Sequence, residues 1–431
     1  MLKNKVVKNA SWIIGCNILQ AICSLVITMF TARYLGPSGY GLISYAASIV
    51  AFVIPVMQVG LNNVLVQETV QHPEEEGKIY GSALSVGLVG SVACIIGVFS
   101  FVSIANAEER ETIIVCVLYS LVLIFQAFDL IQYWYQAKYL SKYSSIVSLL
   151  AYLIVSGYKI FLLISQKSIY WFAISNVLDY FIIAIALLII YKRKGGQRLQ
   201  FSWRVTKRMI SVSRYYLISN LMITVFAQTD KIMLTIMMNE EATGYYSAAI
   251  TCAGMTSFVF TAIIDSARPA ILESLNDGEE SFERNLSRLY CIVIWLALLQ
   301  SVGMTIFASL IISLIYGAAY KAAIPVLQII VWYTTFSYYG GAKDVWVLAK
   351  EKQKYLVYIN LFGAIANVVL NALLIPAIGI IGAAMASLIT QIFSNVVMMI
   401  IIKPLRRNNR ILLNAINPKT LVETIKNLTK K

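Results

Sequence analysis

Long apolar stretches alternate with short polar ones along the whole chain. Runs of the roughly 20 residues that a membrane-crossing helix needs fall at 10–34, 41–65, 81–105, 112–136, 145–165 and 169–191. A basic stretch follows, KRKGGQRLQFSWRVTKR from Lys192. Six more apolar runs lie at 211–237, 244–267, 287–316, 323–346, 355–376 and 379–402. The pattern predicts twelve transmembrane helices. It divides the chain into an N-terminal six-helix bundle (1–191), a basic linker (192–210), a C-terminal six-helix bundle (211–402) and a basic tail (403–431). Between the first two runs the chain passes through Arg33 and then Gly36-Pro37-Ser38-Gly39. Glycine reaches positive φ without a Cβ clash, and proline suits the second position of a turn. Gly36, Pro37 and Gly39 therefore predict a tight hairpin between two spans.

The two halves share a motif. WYQAKYLSKYSSI begins at Trp134 and WVLAKEKQKYLVY at Trp346. At one constant offset Trp134, Ala137, Lys138, Lys142 and Tyr143 match Trp346, Ala349, Lys350, Lys354 and Tyr355. Gly39-Tyr40 and Gly244-Tyr245 also open the second run of each half. Six runs per half give both repeats the same orientation. Two pseudo-symmetric six-helix bundles related by an axis along the membrane normal follow, with a substrate path expected between them.

Composition supports lipid as the solvent. The 431 residues are 59% hydrophobic and only 13% charged, with a mean hydropathy of +0.74, against about 25% charged residues in a soluble domain. The fold class is all-α and polytopic. The net charge of +14 does not point to nucleic acid, because the cations sit in short connections and the tail. Of the 35 lysines and arginines, Arg33, Arg110, Lys167 and Lys321 fall on one side of the predicted membrane. Lys159, Lys231 and Lys343 fall within spans, and the rest lie on the side of the termini. The positive-inside rule then puts both termini in the cytoplasm, and an anionic leaflet would attract the basic segments. The N-terminal MLKNKVVKNASWIIG runs into a span without a small-residue cleavage site, so it is expected to be retained. Leu421, Ile425 and Leu428 share a helical face among lysines, which fits an interfacial helix as well as it fits a solvated tail.

Chemistry beyond transport finds little support. The six cysteines all lie in apolar runs without a C-x-x-C pair, and His72 is the single histidine, so no metal and no cofactor is expected. No G-x-S-x-G, H-E-x-x-H or phosphate-cradling G-x-x-x-x-G-K occurs, and no enzyme activity is expected. Polar residues inside the spans are more informative, because a charge at a span's centre costs about 2.5–3.5 kcal/mol on insertion scales. Gln126, Asp129, Tyr133 and Gln136 recur on one face of the fourth span. Lys159 lies in the fifth span and Asp179 in the sixth. Asn220, Thr224, Gln228 and Lys231 form a stripe in the seventh, with Asp230 beside it. Thr261, Asp265 and Arg268 line the eighth, and Asn360, Asn367 and Asn371 the eleventh. Such stripes describe the wall of a wet cavity. Lys343, Asp344 and Arg268 also fit polar contacts between helices or side chains snorkelling at a span's end.

The segments ARYLGPSGYGLISYAAS, QTDKIML, GYYSAA and NALLIPAIGIIGAAMASLITQ resemble the Wzx-type lipid-linked oligosaccharide flippases. That family is part of the multidrug/oligosaccharidyl-lipid/polysaccharide exporter superfamily. The resemblance covers nearly the whole chain. It implies a MATE-like fold that moves undecaprenyl-diphosphate-linked oligosaccharide repeat units across the bacterial cytoplasmic membrane, for O-antigen, capsule or exopolysaccharide synthesis. It also implies a cationic cavity, for which Arg33, Lys159, Lys231 and Arg268 are candidates. A proton or sodium ion would be the coupling ion, and a polymerase of the same pathway a further partner. Two relatives of the fold stay open, a cation-coupled multidrug antiporter and a peptidoglycan-precursor flippase.

Overall fold

A computed structural model describes the backbone of residues 2–429 and the side chains of residues 15, 16, 18–422, 424 and 426. Ile425 and Leu428, two of the three residues expected on the tail's apolar face, lie outside the described side chains. Among the described residues there is no β-strand. This is what hydrocarbon demands, since only helices satisfy their backbone groups within one segment. Nine helices among the described residues are long and apolar enough to cross a bilayer. The count is ten if the bent pair Glu240–Gly254 and Ser257–Glu273 makes one crossing. The chain forms two compact units, Met1–Glu241 and Ala242–Lys431.

The first unit runs through α1 (Leu2–Gln58), α2 (Leu65–Gln71), α3 (Glu76–Ala105), α4 (Arg110–Ser120), α5 (Val122–Gln126), α6 (Gln132–Ala137), α7 (Ser141–Ile164), α8 (Ile169–Arg193) and α9 (Trp203–Met237). Drawn straight, the 57 residues of α1 would be nearly three times the bilayer's apolar thickness at about 1.5 Å per residue. The helix is broken instead at Gly36, which has φ 67° and ψ 177°. The break is narrower than the expected four-residue turn, since Pro37, Ser38 and Gly39 are already helical. Proline lacks an N–H and has a preset φ, so it suits a first helical position. Gly36 alone carries the left-handed conformation.

The basic segment between the halves is also shorter than expected. α8 continues to Arg193 and α9 starts at Trp203, leaving residues 194–202 between them. These residues lie along the start of α3. The Gln200 amide donates to Gly77 O at 3.0 Å, the Gly77 amide to Gln197 Oε1 at 2.9 Å, and the Ser202 amide to Ser82 Oγ at 3.0 Å. Tyr191 closes the strap by donating its hydroxyl to Gln197 O at 2.8 Å. The approach needs bare backbone on α3, because a Cβ at Gly81 would sit 2.3 Å from Gln200 O. α9 packs on α1 and α3 and so belongs to the first unit.

The second unit comprises α10 (Glu240–Gly254), which begins at the boundary, α11 (Ser257–Glu273), α12 (Glu279–Ile306), α13 (Ala308–Ile315), α14 (Ala323–Ala349), α15 (Lys354–Ile378), α16 (Ile380–Ile392), α17 (Met398–Ile401), α18 (Arg406–Ile416) and α19 (Pro418–Thr429). Between α16 and α17 the chain winds as a π-helix, Phe393–Val397. The start of the tail is built into this unit. Leu405, Ile411, Leu412 and Ala415 join its apolar core. Asn408, fully buried, accepts from Tyr290 Oη at 2.6 Å and donates to Tyr339 Oη at 2.8 Å.

The motif shared by the two halves is shared in geometry. Tyr139 and Glu351 both take positive φ, 57° and 52°. In one turn the amides of Lys138, Tyr139 and Leu140 donate to Trp134, Gln136 and Tyr135. In the other, those of Lys350, Glu351 and Lys352 donate to Trp346, Leu348 and Val347. The same lysine then takes the same kind of partner. Lys138 pairs with Glu76, the first residue of α3, at 2.9 Å, and Lys350 pairs with Glu279, the first residue of α12. An arginine following the last long apolar helix of each half adds to the cluster. Arg208 holds Glu68 at 2.9 Å and Glu75 at 2.8 Å, and Arg407 holds Glu279 at 3.1 Å and Glu283 at 2.6 Å.

The strap gives a first prediction. Gly81→Ala should destabilise the full chain by about 1–3 kcal/mol, as overpacking does, and should expose Arg198 to trypsin. Gly97→Ala, whose Cβ would meet nothing within 4 Å, should be neutral or slightly stabilising. Thermal unfolding in detergent and the rate of linker cleavage check both.

Candidate functional site

Each unit holds a cluster of ionisable side chains on its long apolar helices. In the first unit Asp129 lies in the 3₁₀ stretch Ala127–Ile131, which interrupts the helix between α5 and α6. Lys159 projects from α7 and Asp179 from α8. Asp179 interacts electrostatically with both Asp129 and Lys159. Lys159 Nζ donates to Asn176 Oδ1 at 3.4 Å. All three charged side chains are half-buried. One carboxylate oxygen of Asp179 is buried without a hydrogen-bond donor among the described residues. Tyr180 borders both aspartates, and Tyr119 borders Asp179.

The expected stripe along the fourth span is only partly realised, because the 3₁₀ stretch advances the chain by three residues per turn rather than 3.6. Gln126 is half-buried at the end of α5 and Gln136 is exposed, while Tyr133 hydrogen-bonds Asn62. On α9, Asp230 is 4% exposed and interacts with its neighbour Lys231. Asn220 and Gln228 are half-buried on the same helix. Arg33 is exposed, three residues before the break at Gly36.

In the second unit a chain of charges links α11, α14 and the π-helix. Arg268 pairs with Asp265 at 3.1 Å and also interacts with Asp344. Asp344 Oδ1 lies 3.5 Å from Lys343 Nζ, and Lys343 donates to Asn395 Oδ1 at 3.1 Å. Asn395 donates in turn to Phe336 O at 3.2 Å and to Gln391. Asp265 and Asp344 are half-exposed or more and Arg268 is 43% exposed, but Lys343 is 3% exposed. A snorkelling Lys343 is thus not what forms. Gly340, one turn earlier, brings bare backbone within 2.7 Å (from its would-be Cβ) of Asn395 Oδ1, so the carbonyl oxygen of Asn395 reaches the ammonium inside the unit. On α15, Asn367 and Asn371 are both fully buried, and Asn371 Nδ2 donates to Asn367 Oδ1 at 3.2 Å.

Sequence periodicity did not single out Asn176, Gln391 or Asn395. The available signal was a polar residue in an apolar run facing a paired glycine, Gly340-Gly341.

These features belong to a known class of membrane protein. The fold matches lipid II flippase MurJ in an inward closed conformation with a TM-score of 0.70, over 93% of this chain and 89% of that one, at 14% identity. It also matches an inward-facing multidrug resistance MATE family transporter of the MOP superfamily. There the TM-score is 0.67 over 90% of this chain and 96% of that one, at 12% identity. An uncharacterized membrane protein of Methanocaldococcus jannaschii is 22% identical over 247 residues, 54% of this chain. The match spans about half of that relative, 48% of its length. The family model described as "Polysaccharide biosynthesis protein" matches residues 30–325, more than half of the chain. The chain is a multi-pass membrane protein and belongs to the polysaccharide biosynthesis protein family.

The buried ammonium yields a second prediction. Asn395→Leu removes the amide oxygen that Lys343 reaches, and leaving a buried polar group without its partner costs about 1–3 kcal/mol, more for a charge. Lys343→Met/Asn395→Leu, which removes both partners, should recover much of that loss. Thermal unfolding of the two variants in detergent checks the non-additivity.

Proposed function

We propose that this chain is a flippase that carries an undecaprenyl-diphosphate-linked oligosaccharide from the cytoplasmic to the outer leaflet of the bacterial cytoplasmic membrane. Alternating access would serve surface-polysaccharide synthesis. The observation that carries this reading is the polysaccharide biosynthesis family match over residues 30–325, in a chain whose fold is shared with a lipid flippase. The physics agrees. Each unpaired hydroxyl costs about 4–8 kcal/mol to enter a hydrocarbon-like phase, so a headgroup of several sugars needs a polar path. The half-buried Asp129, Lys159 and Asp179 and the Asp265–Lys343 chain of charges are polar features of that kind.

In this reading the chain crosses the membrane twelve times, with both termini cytoplasmic and two equivalent six-helix halves. The crossings are the nine long apolar helices with α1 counted twice at its Gly36 break, the bent α10–α11 pair, and α14. The shared turns at Tyr139 and Glu351 and their lysine–glutamate pairs support the equivalence of the halves. Arg33, Lys159, Lys231 and Arg268 attract the diphosphate, and Asp129, Asp179 and Asp230 are the carboxylates available to a coupling proton or sodium ion. A drug antiporter of the same fold, as in the MATE-family neighbour, is the reading to be separated from this one.

A diphosphate headgroup carries roughly two negative charges, and each gains about 2.3 kcal/mol per 100 mV on leaving an electrically negative compartment. The test is translocation of a fluorescent lipid-diphosphate-linked saccharide in proteoliposomes under an imposed potential. Flipping above that of empty liposomes, faster when the destination side is positive, is expected. Asp129→Asn and Asp179→Asn should slow it and change its pH dependence. No flipping, together with proton- or sodium-driven efflux of a cationic dye, would replace the flippase with the antiporter.

A further inference from the structure

Away from the charged clusters of the apolar helices, α12, α18 and α19 border a cavity of about 860 Å³. This lies within the roughly 300–1,000 Å³ of small-molecule sites. Its charge is one-sided. Arg284, Arg288, Arg406, Arg407 and Arg410 line it against Glu280 and Glu283, and its other lining side chains are uncharged. Part of that charge is spent on structure. Arg407 is held by Glu279 and Glu283, Arg284 pairs with Glu280 at 2.8 Å, and Arg406 donates through Nε to Ile400 O at 2.7 Å. No carboxylate among the described residues pairs with Arg288, which is half-buried, or with Arg410.

The helices around this cavity are tied into the unit by buried contacts. α18 is pinned by the buried Asn408 between Tyr290 and Tyr339, and its Ile411, Leu412 and Ala415 are buried in the unit's core. α19 is joined to it by the Thr420 hydroxyl, which donates to Asn414 O at 2.7 Å. Guanidinium groups present planar donor forks that match phosphate oxygens in pairs. Arg288 and Arg410, which pair with no carboxylate among the described residues, offer two such forks to an anion with more than one charge. Leu413, Ile416 and Val422, on the same two helices, expose apolar side chains, as segments resting on a lipid surface do.

We propose that this cavity is a binding site for a multiply charged phosphate anion, held by Arg288 and Arg410 with support from Arg284 and Arg406. The shared chemistry is a diphosphate or a cluster of phosphate groups. It can come from a lipid headgroup at the membrane surface or from a soluble phosphate compound. The site is separate from the charged clusters on the apolar helices, and it does not depend on what the protein transports.

The test uses the full chain reconstituted in nanodiscs and titrated with inorganic pyrophosphate at constant ionic strength. In discs of purely zwitterionic lipid, saturable binding is expected. It should weaken by about tenfold or more in Arg288→Gln/Arg410→Gln, from the loss of charge-assisted hydrogen bonds. The charge-matched control Arg204→Gln/Lys207→Gln, on exposed cations of α9, should bind like the wild type. Should the double variant fail to fold, Arg410→Gln alone, at an exposed position, must still weaken binding. Repeating the titration in discs containing phosphatidic acid separates the sources. Weaker apparent pyrophosphate binding in the wild type but not in the variant identifies lipid headgroups as occupants, and unchanged binding identifies a soluble ligand. Equal pyrophosphate affinity in wild type and the arginine variants, an equal loss in the control, or no saturable binding would overturn the site.

Discussion

A charge in hydrocarbon must find a partner, and the arrangement of this chain follows from that requirement. Its helices are lined on most faces by apolar side chains, which leaves no water to compensate an isolated ion. Many of the ionisable groups are therefore placed in one of two settings. Those at the helix ends form direct ion pairs, as in Arg208 with Glu68 and Glu75. Those within the apolar helices are gathered near opposite charges or amides, as in Lys159 beside Asp179 and Asn176. The helices themselves are generic in comparison, since almost any apolar run of sufficient length satisfies its own backbone.

The ion pairs at the helix ends also register the helices against one another. In each unit a lysine from a reverse turn meets the first glutamate of a long helix, Glu76 on α3 and Glu279 on α12. Arg208, near the start of α9, and Arg407, at the start of α18, meet the same acidic regions. A single exposed ion pair contributes little, about 0–1 kcal/mol. Three or more groups sharing one site, with Glu76 at 3% exposure, define a geometry more than they add stability. Each unit also ties down its following basic segment, by the strap on Gly77 and Gly81 in one and by Asn408 in the other.

Much of this was legible in the sequence, and for identifiable reasons. Apolar runs of helical length need no tertiary information, so the all-helical class and the break at Gly36 follow from local chemistry. The matched Trp134 and Trp346 motifs pointed to a duplication, and the structure gives both the same turn conformation. What sequence spacing could not supply was departure from ideal helix. The stripe through Gln126, Asp129, Tyr133 and Gln136 assumed 3.6 residues per turn, and the 3₁₀ stretch at Ala127–Ile131 breaks that assumption. The burial of Lys343 depends on Gly340 lying beside Asn395, a contact between residues far apart in the chain. The expected linker ends at 210 because the next apolar run starts at 211, whereas the helix α9 already starts at Trp203.

Those departures fall where the charges are, and the coincidence has a physical basis. A regular helix uses every carbonyl internally, while a 3₁₀ or π segment loosens that pattern and shifts the direction of its side chains. Asp129 lies within the 3₁₀ segment of the first unit, and Asn395 lies within the π segment of the second. Asp265 and Arg268 lie on the second helix of the pair bent by 40°. A segment with an interrupted ladder is also the cheapest place for a helix to change its curvature.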